Sequence, residues 1–162
     1  YTPLKTVTPL STMIGAFPGA LPPVGGWAAA TNHVTVEAWV LFGIVFAWQL
    51  PHFLAIAWIY RDDYGRAGYP MLPVLDKVGL ATGRHMVIWS LALIPISLMP
   101  TLLRLTGTVY FFGALFLGLV FLAYGLFFTI FRTDRHARRL FLVSILYLPL
   151  LWGLMILDKS SL

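Results

Sequence analysis

Residues 109–131, VYFFGALFLGLVFLAYGLFFTIF, run for 23 positions without one charged side chain. At about 1.5 Å of rise per residue this is about 35 Å of helix, enough to cross the roughly 30 Å hydrocarbon core of a bilayer. Gly113, Gly118 and Gly125 recur along it and would let neighbouring helices approach closely. The rest of the chain has the same character. Hydrophobic residues make up 59% of it and charged residues 10%, and the mean hydropathy of +0.84 lies outside the range of soluble domains. The sequence reads as an integral membrane protein, all-α, in one domain or part of one.

Four more apolar segments flank this one, at about residues 7–30, 38–60, 86–103 and 140–157. The first carries Pro9, Pro18, Pro22 and Pro23 with Gly15, Gly19, Gly25 and Gly26, so an unbroken helix is not expected there. Breakers at membrane depth are tolerated where the freed backbone groups meet protein or a cavity. The second segment holds Gln49, Pro51 and His52, the third Pro95 and Pro100, and the fifth Pro149.

The charges between the segments set an orientation. Arg61, Arg66, Lys77 and Arg84 follow the second, Arg132, Arg135, Arg138 and Arg139 follow the fourth, and Lys5 precedes the first. The alternate connections are poor in basic residues, with Arg104 and Lys159 alone. The positive-inside rule therefore puts Lys5 and both basic connections on the cytoplasmic side. Basic residues confined to connections between spans do not make a nucleic-acid-binding surface. Without cysteine there is no disulfide, thiolate metal site or thiol nucleophile. The chain opens at Tyr1 without a signal-peptide pattern and reads as a piece of something longer.

The stretch Tyr60-Arg61-Asp62-Asp63-Tyr64-Gly65-Arg66-Ala67-Gly68 stands out against this background. Adjacent carboxylates offer hard oxygen ligands of the kind that hold magnesium through one or two side chains while a diphosphate supplies the rest. Arg61 and Arg66 suit the anion, and Gly65 and Gly68 would let backbone N–H groups approach it. Pairing of the aspartates with those arginines in solvent, a role surface charges often play, is an equal reading. Asp76 and Lys77 read as ordinary solvated charges. Lys5 is either a phosphate contact or a topology anchor.

Gln49 and His52 lie three apart inside a span, where polar groups face the bundle interior or a wet cavity. His52 could ligate a haem iron, donate to a carboxylate or act as a base; it could also be an interior histidine bonded to backbone freed by Pro51. Trp48, Phe53, Trp58, Tyr60 and Tyr64 fit an interfacial belt, and fit equally the walls of a site for an isoprenyl chain and its carbocation.

Four blocks in order carry a resemblance: Tyr1-Thr2-x-Leu4-Lys5; residues 15–27, GAFPGALPPVGGW; Trp48-Gln49-Leu50-Pro51-His52-Phe53; and Tyr60-Arg61-Asp62-Asp63-Tyr64 continuing to Ala67-Gly68-Tyr69-Pro70-Met71-Leu72-Pro73. Together they resemble the haem-directed, protohaem IX farnesyltransferase branch of the UbiA-type intramembrane prenyltransferases, over essentially the whole chain. The resemblance implies a nine-helix fold around a cavity open to the cytoplasm, of which this chain is the last five spans. It implies transfer of a farnesyl group from farnesyl diphosphate to the 2-vinyl group of haem B, giving haem O. Magnesium would sit on Asp62 and Asp63, the catalytic acidic motif, with Lys5, Arg61 and Arg66 on the diphosphate. Trp48, Gln49, His52, Tyr60 and Tyr64 would line the substrate cavity. A first acidic motif is expected in the missing N-terminal half, so this piece alone is expected to be inactive. The setting implied is a bacterial-type or mitochondrial inner membrane, the acidic motif on its cytoplasmic or matrix side, with haem-handling or oxidase-assembly proteins as partners. Prenylation of a quinone precursor or another aromatic acceptor is the alternative on the same scaffold. A transporter with broken spans is the alternative from another class.

Overall fold

The computed structural model describes residues 11–159. They form eight helices: α1 (Ser11–Gly19), α2 (Pro22–Thr31), α3 (Val36–Ile59), α4 (Arg61–Arg66), α5 (Leu72–Leu75), α6 (Leu80–Leu102), α7 (Thr108–Phe131) and α8 (Asp134–Leu157). Four of them, α3, α6, α7 and α8, are long and apolar enough to cross a membrane.

The first apolar segment is not a single span. It divides at Ala20 and Leu21 into α1 and α2, of 9 and 10 residues. Pro22 and Pro23 open α2, where a missing N–H costs nothing, and they cannot continue the preceding helix. Residues 7–10 of this segment, and Lys5, lie outside the described residues.

Two helices begin earlier than the apolar runs alone imply. α6 starts at Leu80 and α8 at Asp134, so Arg84, Arg135, Arg138 and Arg139 stand within the first two helical turns, not in loops. Long basic side chains can leave a helix end for the headgroup region, so charge marks the membrane boundary and not the end of the helix.

Two aspartates hold helix ends. Asp76, which reads as a solvated charge in sequence, accepts hydrogen bonds from the N–H groups of Gly79 (3.1 Å) and Thr82 (2.7 Å) at the start of α6. At the other end of the bundle Asp158 accepts from the Tyr110 N–H (2.7 Å) through its side chain and from the Gly107 N–H (3.0 Å) through its carbonyl. The end of α8 thereby caps the start of α7.

α7 packs against α6 and α8 through its glycines. A Cβ added at Gly118 would stand 2.9 Å from Ile94 Cγ1, and one at Gly113 would stand 2.5 Å from Leu154 Cδ1. Between the same three helices lies a polar knot. Ser97 Oγ donates to the Leu93 carbonyl (2.6 Å), so Tyr147 Oη donates to Ser97 Oγ (2.7 Å), while Tyr110 Oη donates to the Ser97 carbonyl (2.9 Å). Tyr110, Phe121, Tyr147 and Leu93 are buried around it.

Candidate active site

α3 carries the Trp48–Phe53 block and leads, through Tyr60, into the acidic block on α4. Its middle presents Trp48 and His52, one helical turn apart and stacked with ring centroids 4.8 Å apart. Both reach Ser144 of α8. Trp48 Nε1 donates to the Ser144 carbonyl (2.8 Å), and His52 Nδ1 lies 2.7 Å from Ser144 Oγ. Ser144 Oγ itself donates to the Phe141 carbonyl (2.6 Å). Its one proton is thus used, so the hydroxyl accepts from His52 Nδ1–H, an arrangement that in a neutral imidazole leaves the lone pair on Nε2. Phe141 also stacks on the half-buried ring, with centroids 5.2 Å apart. Backbone freed by Pro51 is not the partner of His52; Ser144 is.

Gln49 and His52 do not meet a common neighbour, despite their spacing. Gln49 is buried against α1, where its Nε2 donates to the Ala16 carbonyl and its Oε1 lies 2.8 Å from where a Cβ on Gly19 would stand. It joins two helices, and no open cavity wall is formed by it here.

At the end of α3, Tyr60 (φ −106°, ψ 22°) interrupts the helix and α4 begins at Arg61. Arg61 Nη1 donates to Asp134 Oδ1 of α8 (2.7 Å) and to the Trp58 carbonyl (2.8 Å), and its guanidinium lies 4.7 Å from the Trp58 ring centroid. Trp58 Nε1 donates to the same Asp134 oxygen (3.0 Å). The Trp58 ring is buried edge-to-face on Phe128, and a Cβ on Gly79 would meet it at 2.7 Å. Gly79 also holds φ +80°, so both space and backbone demand glycine.

Asp62 and Asp63 are exposed on the single helical turn of α4, and Asp63 is ion-paired with Arg66. A cavity of about 740 Å³ opens between α4 and α5, lined by Arg61, Asp62, Gly65, Arg66, Pro73, Val74 and Lys77. Of the residues the sequence assigns to metal and diphosphate, the structure brings Arg61, Asp62 and Arg66 to this cavity, with Asp63 joined through Arg66. It adds Lys77, which sequence reasoning set aside. Gly68 does not offer a free amide: at φ +75° its N–H donates to the Gly65 carbonyl (3.1 Å) to close the turn. Tyr60 is exposed, and Tyr64 is half-buried with its ring edge-on to Tyr69. Trp48 and His52 lie two to three turns of α3 from this cavity and form a separate cluster.

No group of three or more histidine, aspartate or glutamate side chains gathers to hold a metal among the described residues. Two solvated carboxylates side by side nevertheless fit a magnesium-type ion, which keeps waters and phosphate oxygens and needs one or two protein ligands.

The chain matches the UbiA prenyltransferase family over residues 1–154. The chain belongs to the UbiA prenyltransferase family. It is an integral membrane protein. Among curated relatives it is similar to "Protoheme IX farnesyltransferase" of Solibacter usitatus, 53% identical over 162 residues, covering 100% of this chain and 56% of the relative. It is similar also to the proteins of the same name from Koribacter versatilis, at 49% identity over 99% of this chain and 54% of the relative, and from Salinibacter ruber, at 44% over 98% and 56%. The chain thus spans about half the length of the curated relatives it matches. No solved structure matches it.

Proposed function

We propose that the full-length protein transfers the farnesyl group of farnesyl diphosphate to the 2-vinyl group of haem B, giving haem O. The observation that carries this reading is the similarity, along the whole chain, to relatives named protoheme IX farnesyltransferase. The reading includes an inner membrane of bacterial or mitochondrial type, with the acidic turn on the cytoplasmic or matrix side, and haem-handling or oxidase-assembly partners.

Asp63 and Asp62 would hold the divalent ion that family members generally use to bind diphosphate, and we assign magnesium. When bound, such an ion neutralises the leaving diphosphate and eases ionisation of the allylic C–O bond. Arg66 supplies positive charge beside the carboxylates, and Lys5 is assigned to the same diphosphate. Arg61 contributes through the guanidinium nitrogens that Asp134 and Trp58 leave free. The 2-vinyl group of haem B adds to the allylic cation, and water captures the resulting cation on the haem side chain, losing a proton. Tyr60 and Tyr64 stand at the mouth of the substrate path.

His52 and Trp48 are assigned to the haem. With Nδ1 committed to Ser144, His52 presents the Nε2 lone pair, the form that can meet a haem iron. Trp48 and Phe141 both stack on the ring and restrict its plane.

The test is the full-length protein in membranes, supplied with farnesyl diphosphate, haem B and magnesium. A haem product heavier by one farnesyl group and one hydroxyl group is expected. Transfer to an aromatic acid in preference to haem, or no consumption of farnesyl diphosphate, would contradict the assignment.

A further inference from the structure

The cavity between α4 and α5 is lined by three cations, and two are already engaged. Arg61 Nη1 is taken by Asp134 and by the Trp58 carbonyl. Arg66 is paired with Asp63. Lys77 lines the same cavity and makes no ion pair or side-chain hydrogen bond among the described residues. It is exposed, and its side chain offers three N–H donors.

Its backbone is fixed from the preceding residue. Asp76 is tied through both carboxylate oxygens to the Gly79 and Thr82 amides, and Gly79 is seated against the Trp58 ring. The position of Lys77 is thus set by a cap and a close packing contact on either side of it, although the residue is in a connection. Asp62, Arg61 and Arg66 line the same cavity, so the lining carries three positive charges and one negative. Such a lining takes a phosphate-type anion, with Asp62 able to share a metal ion with it.

We infer that Lys77 is a direct ligand of the diphosphate, and that Arg61 serves chiefly as the strut that holds the acidic turn to α8. This rests on the farnesyl transfer reading and extends it to a residue outside the acidic motif. A compact ammonium on a flexible stem suits a leaving group whose charge grows as the bond breaks, whereas a guanidinium already bonded to a carboxylate and a carbonyl is held in place.

The experiment compares Lys77→Gln with the unmodified full-length protein. Binding of inorganic diphosphate with magnesium is measured by calorimetry, and KM is measured separately for farnesyl diphosphate and for haem B. Loss of one charge-assisted contact should weaken diphosphate binding and raise KM for farnesyl diphosphate by about tenfold to a hundredfold. KM for haem B should not move, and Lys77→Arg should recover most of the loss. Unchanged diphosphate affinity in Lys77→Gln overturns the inference. Vesicles of phosphatidylcholine with and without phosphatidylglycerol separate the other source of a phosphate group. If Lys77→Gln loses only a dependence on phosphatidylglycerol, the cavity holds a lipid headgroup and the inference is wrong. If the unmodified protein binds no diphosphate and forms no haem O, the functional reading itself fails and takes this inference with it. If it does both and Lys77→Gln matches it, only the role of Lys77 falls.

Discussion

The Arg61 guanidinium donates to the Asp134 carboxylate at 2.7 Å across 73 residues of chain. The same oxygen receives the Trp58 indole N–H at 3.0 Å. One carboxylate at the start of α8 therefore fixes both the last turn of α3 and the first residue of the acidic turn. It also places the two basic stretches of the sequence at one end of the bundle, as the charge pattern requires.

Removing the two partners should not have equal effects. The ion pair is partly exposed and its coupling should be about 0.2–1 kcal/mol. Asp134→Ala, however, also strips the buried Trp58 N–H of its acceptor, which should cost about 1–3 kcal/mol. Thermal unfolding of the full-length protein in detergent should rank Asp134→Ala below Arg61→Ala, with the double variant less damaged than the sum. Strict additivity, or the reverse ranking, would show that the contacts do not act as a unit.

Orientation follows from the same contact. This chain has no cysteine, so single cysteines report cleanly within it. Ala67→Cys and Arg138→Cys, both at exposed positions, should react with an impermeant thiol reagent from the cytoplasmic side, and His33→Cys from the opposite side. Labelling of Ala67→Cys and Arg138→Cys from opposite faces would refute the arrangement.

Ser144 should matter to haem and not to farnesyl diphosphate. It fixes the His52 tautomer, and loss of such an outer contact typically weakens metal ligation by about tenfold or more. Titration of haem B, followed by its Soret band, should show weaker binding in Ser144→Ala and a greater loss in His52→Ala. Diphosphate binding should stay unchanged in both. An equal loss of diphosphate binding would mean that the helix pairing has collapsed and not that the ligand has been altered.

Two buried serines of α6 make a contrast. Ser97 joins three helices through Tyr147 and Tyr110, whereas Ser90 Oγ is buried without a hydrogen-bond partner among the described residues. Ser97→Ala should destabilise the protein by about 0.6–1.7 kcal/mol, the range for interhelical hydrogen bonds in membranes. Ser90→Ala should be neutral or slightly stabilising, because it removes an unsatisfied hydroxyl. Unfolding in detergent or in mixed micelles measures both.

Much of this architecture is legible in the sequence because bilayer thickness makes length and charge decisive. The run 109–131 could hardly be other than a span, and Pro22-Pro23 announces a break that the structure places there. Helix starts were less legible: Arg135 and Arg139 are charged, yet the helix continues beneath them into the interface. Side-chain partners were least so. Gln49 and His52 share a spacing but turn to α1 and α8, a choice made by Gly19 and Ser144 elsewhere in the chain. Asp76 did carry a local signal, an acidic residue just before Gly79 and a new helix, and it could have been read as a cap. Placing Lys77 in the same cavity as Arg66 required the fold of α5 against α4, which no periodicity in a short connection encodes.

The central claim is that the acidic turn at the end of α3 drives farnesyl transfer, and Asp63→Asn in the full-length protein tests it most directly. The substitution keeps size and lies in an exposed turn, so the protein should accumulate normally in the membrane. Haem O formation, measured from extracted haems at limiting and saturating magnesium, should be nearly abolished, and Asp62→Asn should lose less. Near-normal haem O from Asp63→Asn at both magnesium levels would contradict the account and leave Asp63 as no more than the surface partner of Arg66.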